Sequence, residues 1–421
     1  MNGSWTRGRR TAIALAVATL ATGGLAACGG GDDGSSAAGG SGGTYTWWDP
    51  YPQHAADSDW AQRVERCGEQ AGVKIKRTAY DTTQLTNQAL LAGQQGEAPD
   101  VILLDNPAVS TLAESGMLAT TEQFGLDTSD VDPNLLAAGD LDDESYGIPI
   151  GANTLALYYN KAVLDAAGVD PAGITSWATL TDALEKIKAE GNQGITFSAI
   201  GTEEGSFQYL PWFWGSGAEL TDLDSPEAVA SLELWKGWLD DGLAPNSVIN
   251  NSQNTVWEQF LTGDFGFAEN GTWQVNSAAD ADFETGIIQI PAEAGGAAPA
   301  PTGGEFAVVP VQQDTQRYDT TTKIVECMTT AEGFVETANT FAYYIPPTEA
   351  GQKELLAEKP DLEVWVDAVR EARGRTSDNL GTDYPKISEP LWTAVQQALS
   401  GSASPQEALQ TAQKAADQAT G

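Results

Sequence analysis

At 421 residues, 41% hydrophobic and 19% charged, the chain has a globular composition and length enough for two or three average domains, or for one two-lobed unit. A formal charge of −38 sets aside a phosphate-backbone partner, because such binding is driven by Lys and Arg neutralising phosphates. The single histidine, His54, removes most Ser–His, Cys–His and multi-histidine metal arrangements, so no metal and no cofactor is expected.

The chain begins as a targeting segment. Arg7, Arg9 and Arg10 form a basic start, and residues 11–22 an apolar core too short to span a bilayer. Leu25-Ala26-Ala27-Cys28 then matches the lipobox of bacterial lipoproteins, in which the cysteine is lipidated and becomes the mature N-terminus. Residues 1–27 are thus expected to be a signal peptide, and 28–43, rich in Gly, Ser, Asp and Ala, a flexible tether. The folded body then starts near Thr44, outside the cytoplasm and held at the cell membrane by lipid. Cys67 and Cys327 remain. In an oxidising compartment an even pair suggests a disulfide, and two free buried thiols stay open.

In chain order, residues 44–48 read as a strand running into Trp47-Trp48-Asp49-Pro50. Successive strand residues face opposite sides, so the two tryptophans cannot share one core and one is a cleft candidate. A helix from about Asp59 puts Trp60, Val64, Cys67 and Ala71 on one face. A strand over 73–79 and a helix over 85–94 follow. The run Pro99-Asp100-Val101-Ile102-Leu103-Leu104-Asp105-Asn106 suits a parallel strand covered on both faces. This βαβαβ order predicts a parallel sheet with helices on both sides, whose ligands sit beyond the carboxyl ends of the strands. Trp47, Trp48, Asp49, Asp105 and Asn106 all fall there. A helix near 108–115 ends at Gly116.

An acidic run, Asp140, Asp142, Asp143 and Glu144, precedes the stretch YGIPIGANTLALYYNK at 146–161. The run lacks the spacing of a calcium loop and reads as a solvated turn. In the stretch, a proline and a glycine imply a bend, and residues 155–159 a buried strand. It reads as the passage from one lobe to another; on these residues alone an ordinary βα turn inside one domain stays open. Residues 176–190 are predicted helical and 195–200 a strand. The segment FQYLPWFWGSG at 207–217 must be partly core, with Tyr209, Trp212 and Trp214 the aromatics expected to supply a cleft contact. Ser225-Pro226 starts a helix as N-cap and first position, its Trp235 in the apolar stripe. A helix over 254–262 leads to a strand ending in Asn270-Gly271, a turn that tolerates positive φ and places Trp273 just after it. Further strands are expected at 285–291 and 305–310, a helix at 319–331, and three or four helices from 353 onward around an extended polar stretch, 374–385.

Together these features resemble the extracellular solute-binding lipoproteins of ABC-type sugar importers, the maltodextrin and multiple-sugar-binding type. The resemblance rests on the Pro-Asp-Val-Ile-Leu-Leu strand, Gly-Ile-Pro followed by Leu-Tyr-Tyr-Asn-Lys, and the helix end at residues 259–263. The Gly271-to-Trp273 turn, Gly303-Gly304 before a strand, and a helical C-terminal part complete it. It implies a two-lobed periplasmic-binding-protein fold, α/β, each lobe a mostly parallel sheet flanked by helices, with the ligand in the cleft between. The first lobe would comprise 44–152 and 305–345, the second 153–304 and 346–421.

The resemblance further implies a carbohydrate ligand, a neutral sugar or oligosaccharide, delivered to the transmembrane permease subunits of an ABC importer by a monomeric, non-enzymatic protein. By position it assigns the ligand to Trp273 and Asn270, to the aromatics Tyr209, Trp212 and Trp214, and to Trp47, Trp48, Asp49, Asp105 and Asn106. Glu305 and Arg375 are added from the Gly304 and C-terminal polar positions. The sequence carries Asn106 where an arginine often supports the acid. Because the resemblance returns the chain to the first lobe near Glu305, it places the helices of Cys67 and Cys327 together and implies a bridge. A secreted glycoside hydrolase and a peptide or adhesion lipoprotein are the competing classes; the former requires two opposed carboxylates, one with a raised pKa.

Overall fold

The computed structural model describes residues 43–142, 144–376 and 380–421. The predicted leader, Cys28, the tether up to residue 42 and Asp143 lie outside the described residues.

The described residues build two main sheets and one two-stranded ribbon. In the first, strand Thr44–Asp49 pairs in parallel with Lys74–Ala79 on one side and Val101–Asp105 on the other. Strand Glu305–Val308 lies antiparallel beside Val101–Asp105, and Ile148–Pro149 closes the sheet. The unbroken apolar run at 101–104 is explained by its two covers: Val101 and Leu103 enter a core with Trp47, Trp60 and Ile324, while Ile102 and Leu104 enter another with Leu85 and Val109. The second sheet runs Thr285–Ile288, Leu155–Asn160, Phe265–Gly271, Gln193–Thr196. Its first two pairings are antiparallel and its third parallel. Pairing in the molecule is therefore mixed rather than mostly parallel, since Leu155–Asn160 and Glu305–Val308 each arrive directly from the other sheet and not through a covering helix.

The stretch at 146–161 does leave one sheet and enter the other: Ile148–Pro149 belongs to the first and Leu155–Asn160 to the second, so it is not a turn within one domain. Two further passages lie alongside it, with Ala152 bridged to Ile345 and Asn153 to Gly303. Gly304 has φ +115°, and a Cβ there would stand 2.5 Å from the Gly151 carbonyl oxygen, so only glycine fits the passage.

Most helices form where capping residues and apolar periodicity put them. Ser225 caps helix Pro226–Asp240, its hydroxyl accepting from the Ala228 N–H at 3.2 Å. The strand expected at 195–200 is Gln193–Thr196, and the one at 285–291 stops at Ile288. The aromatic run lies in helix Glu203–Gly215, buried from residue 205 onward among helices Pro226–Asp240 and Tyr384–Leu399 and the second sheet. Of the polar stretch expected to be extended at 374–385, residues 381–383 form a 3₁₀ turn, Gly381–Asp383, and 384–385 open helix Tyr384–Leu399; residues 377–379 lie outside the described residues. On either side of the undescribed Asp143, Asp140–Leu141 pairs antiparallel with Glu144–Ser145.

Cys67, on helix Asp59–Gln70, and Cys327, on helix Tyr318–Thr329, are joined by a disulfide with Cα atoms 5.6 Å apart. Arg63, one turn before Cys67, donates to the Cys327 carbonyl at 2.8 Å and pairs with Glu336 at 2.6 Å. Both helices cover the first sheet, their side chains entering one core.

Candidate functional site

Strand Val101–Asp105 ends at the sheet edge in a carboxylate. Asp105 Oδ1 accepts from the Asn106 N–H at 3.0 Å and so caps helix Asn106–Glu114. Antiparallel register sets Glu305 directly opposite Asp105, which makes two acids neighbours on one wall. Facing them is the other lobe: the N-terminus of helix Glu203–Gly215, with Glu203, Glu204 and Phe207; Gln253 at the start of helix Gln253–Phe260; and Trp273 just past strand Phe265–Gly271. The space between is a cleft of about 710 Å³ that also takes in Tyr51, His54, Asn153 and Tyr344.

Arg375 ties the two walls. Its guanidinium donates to Asp105 Oδ1 at 2.9 Å and to Asn106 Oδ1 at 2.9 Å on one side, and to Glu203 Oε1 at 2.7 Å on the other. It also lies 4.9 Å from the centre of the Phe207 ring. Burial works against its charge, but Asp105 and Glu203 outweigh burial and hold its pKa above the ordinary range. Glu203 accepts further from the Tyr384 hydroxyl at 2.6 Å and from Ser388. Asp105 is therefore supported by an arginine 270 residues further along the chain.

Trp273 is half-buried beside Phe207, ring centres 6.4 Å apart. A Cβ on Gly271 would fall 2.0 Å from its indole, so the glycine is what lets the ring lie over the backbone. Burial, and then the Asp105 charge, push Glu305 up to about 7, against the hydrogen bonds of Tyr51 and Tyr344 and the Arg375 charge. Tyr344 donates to Glu305 Oε2 at 2.7 Å. Burial raises Glu204, whose carboxylate accepts the Gln253 backbone N–H. Burial and the nearby Arg77 lower His54.

Of the residues expected from sequence, Asp105, Trp273, Glu305 and Arg375 line the cleft. Asn106 stands behind it, 1% exposed, donating to the Thr302 carbonyl at 3.0 Å. Asn270 is buried beneath it, its amide holding the Gln253 carbonyl at 3.0 Å. The other expected contacts are corrected. Trp47 packs edge-on against Trp60, and Trp48 against Tyr80. Asp49 is wholly buried, accepting from the Trp47 and Trp60 indoles and pairing with Arg77. Tyr209 bonds Ser231 inside the second lobe, Trp212 donates to the buried Glu269 at 2.7 Å, and Trp214 lies under Arg373. None of the six lines the cleft: all but Trp48 are buried, and Trp48 is half-buried with its ring edge-to-face on Tyr80. Sequence reasoning missed Glu203, Glu204, Phe207 and Gln253, and elsewhere around the cleft Tyr51, His54, Asp81, Asn153 and Tyr344. Two acids in the first turn of an aromatic helix were the available signal, and they also suit the helix dipole.

The profile of bacterial extracellular solute-binding proteins matches residues 62–364. A binding protein of Brucella abortus (strain 2308) is 31% identical over 168 residues, 37% of this chain and 40% of that one, so the chain spans about two-fifths of the length of the first curated relatives it matches. The maltodextrin-binding protein of Bacillus subtilis (strain 168) is 24% identical over 343 residues, 76% of each chain. In three dimensions the chain is similar to an ABC-transporter solute-binding protein of Thermotoga lettingae TMO bound with alpha-D-tagatose. The TM-score is 0.77 at 22% identity, covering 90% of this chain and 100% of that one. With two α/β lobes, an open cleft at the strand ends and a family match across most of its length, the chain belongs to the bacterial extracellular solute-binding proteins.

Proposed function

We propose that the protein binds a carbohydrate in the cleft between its lobes and delivers it to the transmembrane subunits of an ABC importer, as a monomer and without catalysing a reaction. The observation that carries this reading is the pairing of an aromatic wall, Trp273 with Phe207, with the polar network Asp105–Arg375–Glu203 across about 710 Å³. Sugars present exactly two kinds of surface to such a site: C–H faces that pack on a ring, and hydroxyls that need donors and acceptors. The maltodextrin named for one relative and the tagatose held by a structural neighbour support the ligand class.

Residues 44–152 with 305–345 form the first lobe in this reading and 153–304 with 346–421 the second, closing on the ligand about the three adjacent passages. Cys28 would carry the lipid and residues 28–43 the tether to the cell membrane. Among the described residues no helix is long and apolar enough to cross a membrane. A hydrolase would need carboxylates opposed across the bond it cleaves; acids stand on both walls of the cleft, so the fate of the bound sugar is what separates the two readings.

Titration calorimetry of the full chain against a panel of mono- and oligosaccharides, with chromatography of the sugar afterwards, tests the proposal. Saturable binding with the sugar recovered intact is expected. Shortened sugar would replace the reading with a hydrolase, and no heat with any saccharide would reject it.

A further inference from the structure

The charges that line the cleft are unbalanced. Among the described residues, Asp81, Asp105, Glu203, Glu204 and Glu305 line it against one arginine, Arg375, five acids to one base, with Glu305 carrying only part of its charge at neutral pH because burial holds it at about 7. His54 adds no lasting positive charge, since burial and Arg77 lower its pKa. Arg77 itself is committed to Asp49, its Nη2 at 2.7 Å from Oδ1. Arg375 is shared between Asp105 and Glu203; among the described residues no ion pair joins a cation to Glu204, Glu305 or Asp81, of which Asp81 is exposed and caps helix Thr82–Gln95 through the Gln84 N–H at 2.9 Å.

A second feature points to what accompanies the missing charge. Arg375, 2% exposed and on the cleft wall, has a buried Nε–H with no partner, and Gln253 has a buried Nε2 in the same condition. Buried donors are ordinarily paired, so these two, closed to solvent in the open cleft, are the ones that would gain oxygen acceptors if closure on a ligand turns them toward it. Hydroxyls would supply them and could also donate to one or two of the carboxylates. A neutral saccharide would still leave the remaining carboxylates stripped of water and uncompensated when the lobes close, which is costly for each ion.

Resting on the carbohydrate reading above, we propose that the preferred ligand is a saccharide carrying a protonated amine, an amino sugar or an aminated oligosaccharide. Its hydroxyls meet Arg375 and Gln253, and its ammonium lies among Glu204, Glu305 and Asp81. The Phe207 face is already taken by the Arg375 guanidinium at 4.9 Å, so Trp273 is the ring that remains for the C–H face or the cation. The upward shifts of Glu204 and Glu305 have the sign expected of buried carboxyls that lack a counter-ion. The chain's overall charge of −38 further concentrates cations near it.

Calorimetry of the full chain at neutral pH and low salt tests this with matched sets: glucosamine and galactosamine and their short oligomers, the N-acetylated form of each, and the plain hydroxyl sugar of each, with 1,4-diaminobutane alongside. At least one amine-bearing saccharide should bind roughly ten-fold more tightly than both of its counterparts, about one factor of ten per 1.4 kcal/mol. The advantage should shrink with added salt and above the amine's own titration. It should also fall in Glu204→Gln, which keeps the acceptor for Gln253 but removes the charge, while the affinity of the neutral counterpart changes less. Equal or tighter binding of the acetylated or hydroxyl form overturns this proposal and leaves the carbohydrate reading standing. Binding of the diamine with no saccharide, or of nothing in the panel, overturns both.

Discussion

Arg375 is the residue on which the cleft's geometry turns. One guanidinium fixes the Asp105 and Asn106 side chains of one wall and the Glu203 side chain of the other. Arg375→Met keeps the bulk but strands two carboxylates and the Asn106 amide. Both carboxylates retain some solvent access, which discounts the loss to about 2 kcal/mol of stability, measurable as a lower urea midpoint, along with weaker ligand binding. Unchanged stability would mean that the bridge is solvated and passive. Trp273 answers a different question. Because it is half-buried, Trp273→Ala should leave the fold intact and weaken sugar binding by about 1–3 kcal/mol; calorimetry with unchanged affinity would remove it from the site.

Glu305 makes stability depend on pH with a definite sign. Its pKa rises on folding from 4.5 to about 7, so between those values the folded state binds more protons than the unfolded one. Stability is therefore greatest below that window and declines as pH rises through it. Glu204 and Glu269 are also shifted upward, by burial first, and add to the same trend. Denaturant midpoints should fall from pH 5 toward pH 7.5 in the wild type and fall less in Glu305→Gln; identical slopes would contradict the burial argument.

At the scale of elements, local chemistry was legible wherever a residue's partner lay nearby in sequence. The Ser225-Pro226 helix start and the apolar strand ending at Asp105 were readable from their own residues; the strand before Trp273 does end at Gly271, but Asn270-Gly271 is not the expected positive-φ turn, since Gly271 is extended at φ −108°. What could not be read was which polar or aromatic groups had distant partners. Asp49 looks like a strand-end ligand until Arg77, 28 residues on, pairs with it. Trp212 looks available until Glu269, 57 residues on, accepts its indole N–H. Helix Glu203–Gly215 is apolar on nearly every side, so periodicity could not say that only its first turn meets the cleft. The helices of Cys67 and Cys327 carry a prediction of their own. Their bridge spans 260 residues of sequence, and replacing both cysteines by serine should cost roughly 2 to 5 kcal/mol by freeing the unfolded chain. Two free thiols in the denatured, unreduced protein, or no loss of stability, would contradict the bridge.

For the whole molecule, the organising feature is the set of adjacent passages at 150–154, 301–304 and 343–346, which carry the chain between the sheets and leave the carboxyl end of strand Val101–Asp105 facing the other lobe. Passage 150–154 was evident in sequence because proline, glycine and a change of pattern mark it. The route of Arg375 into the cleft was not, because it depends on how the C-terminal helices pack. The central claim is that a saccharide is held between two walls contributed by the two lobes. Hydrogen–deuterium exchange with and without a saccharide that binds tests it most directly. The account predicts simultaneous slowing at residues 105–107 and 303–305 on one wall and at 203–207 and 271–274 on the other. Slowing confined to one wall, or instead along the separate groove formed by Pro171, Ile288, Glu363 and their neighbours, would contradict it.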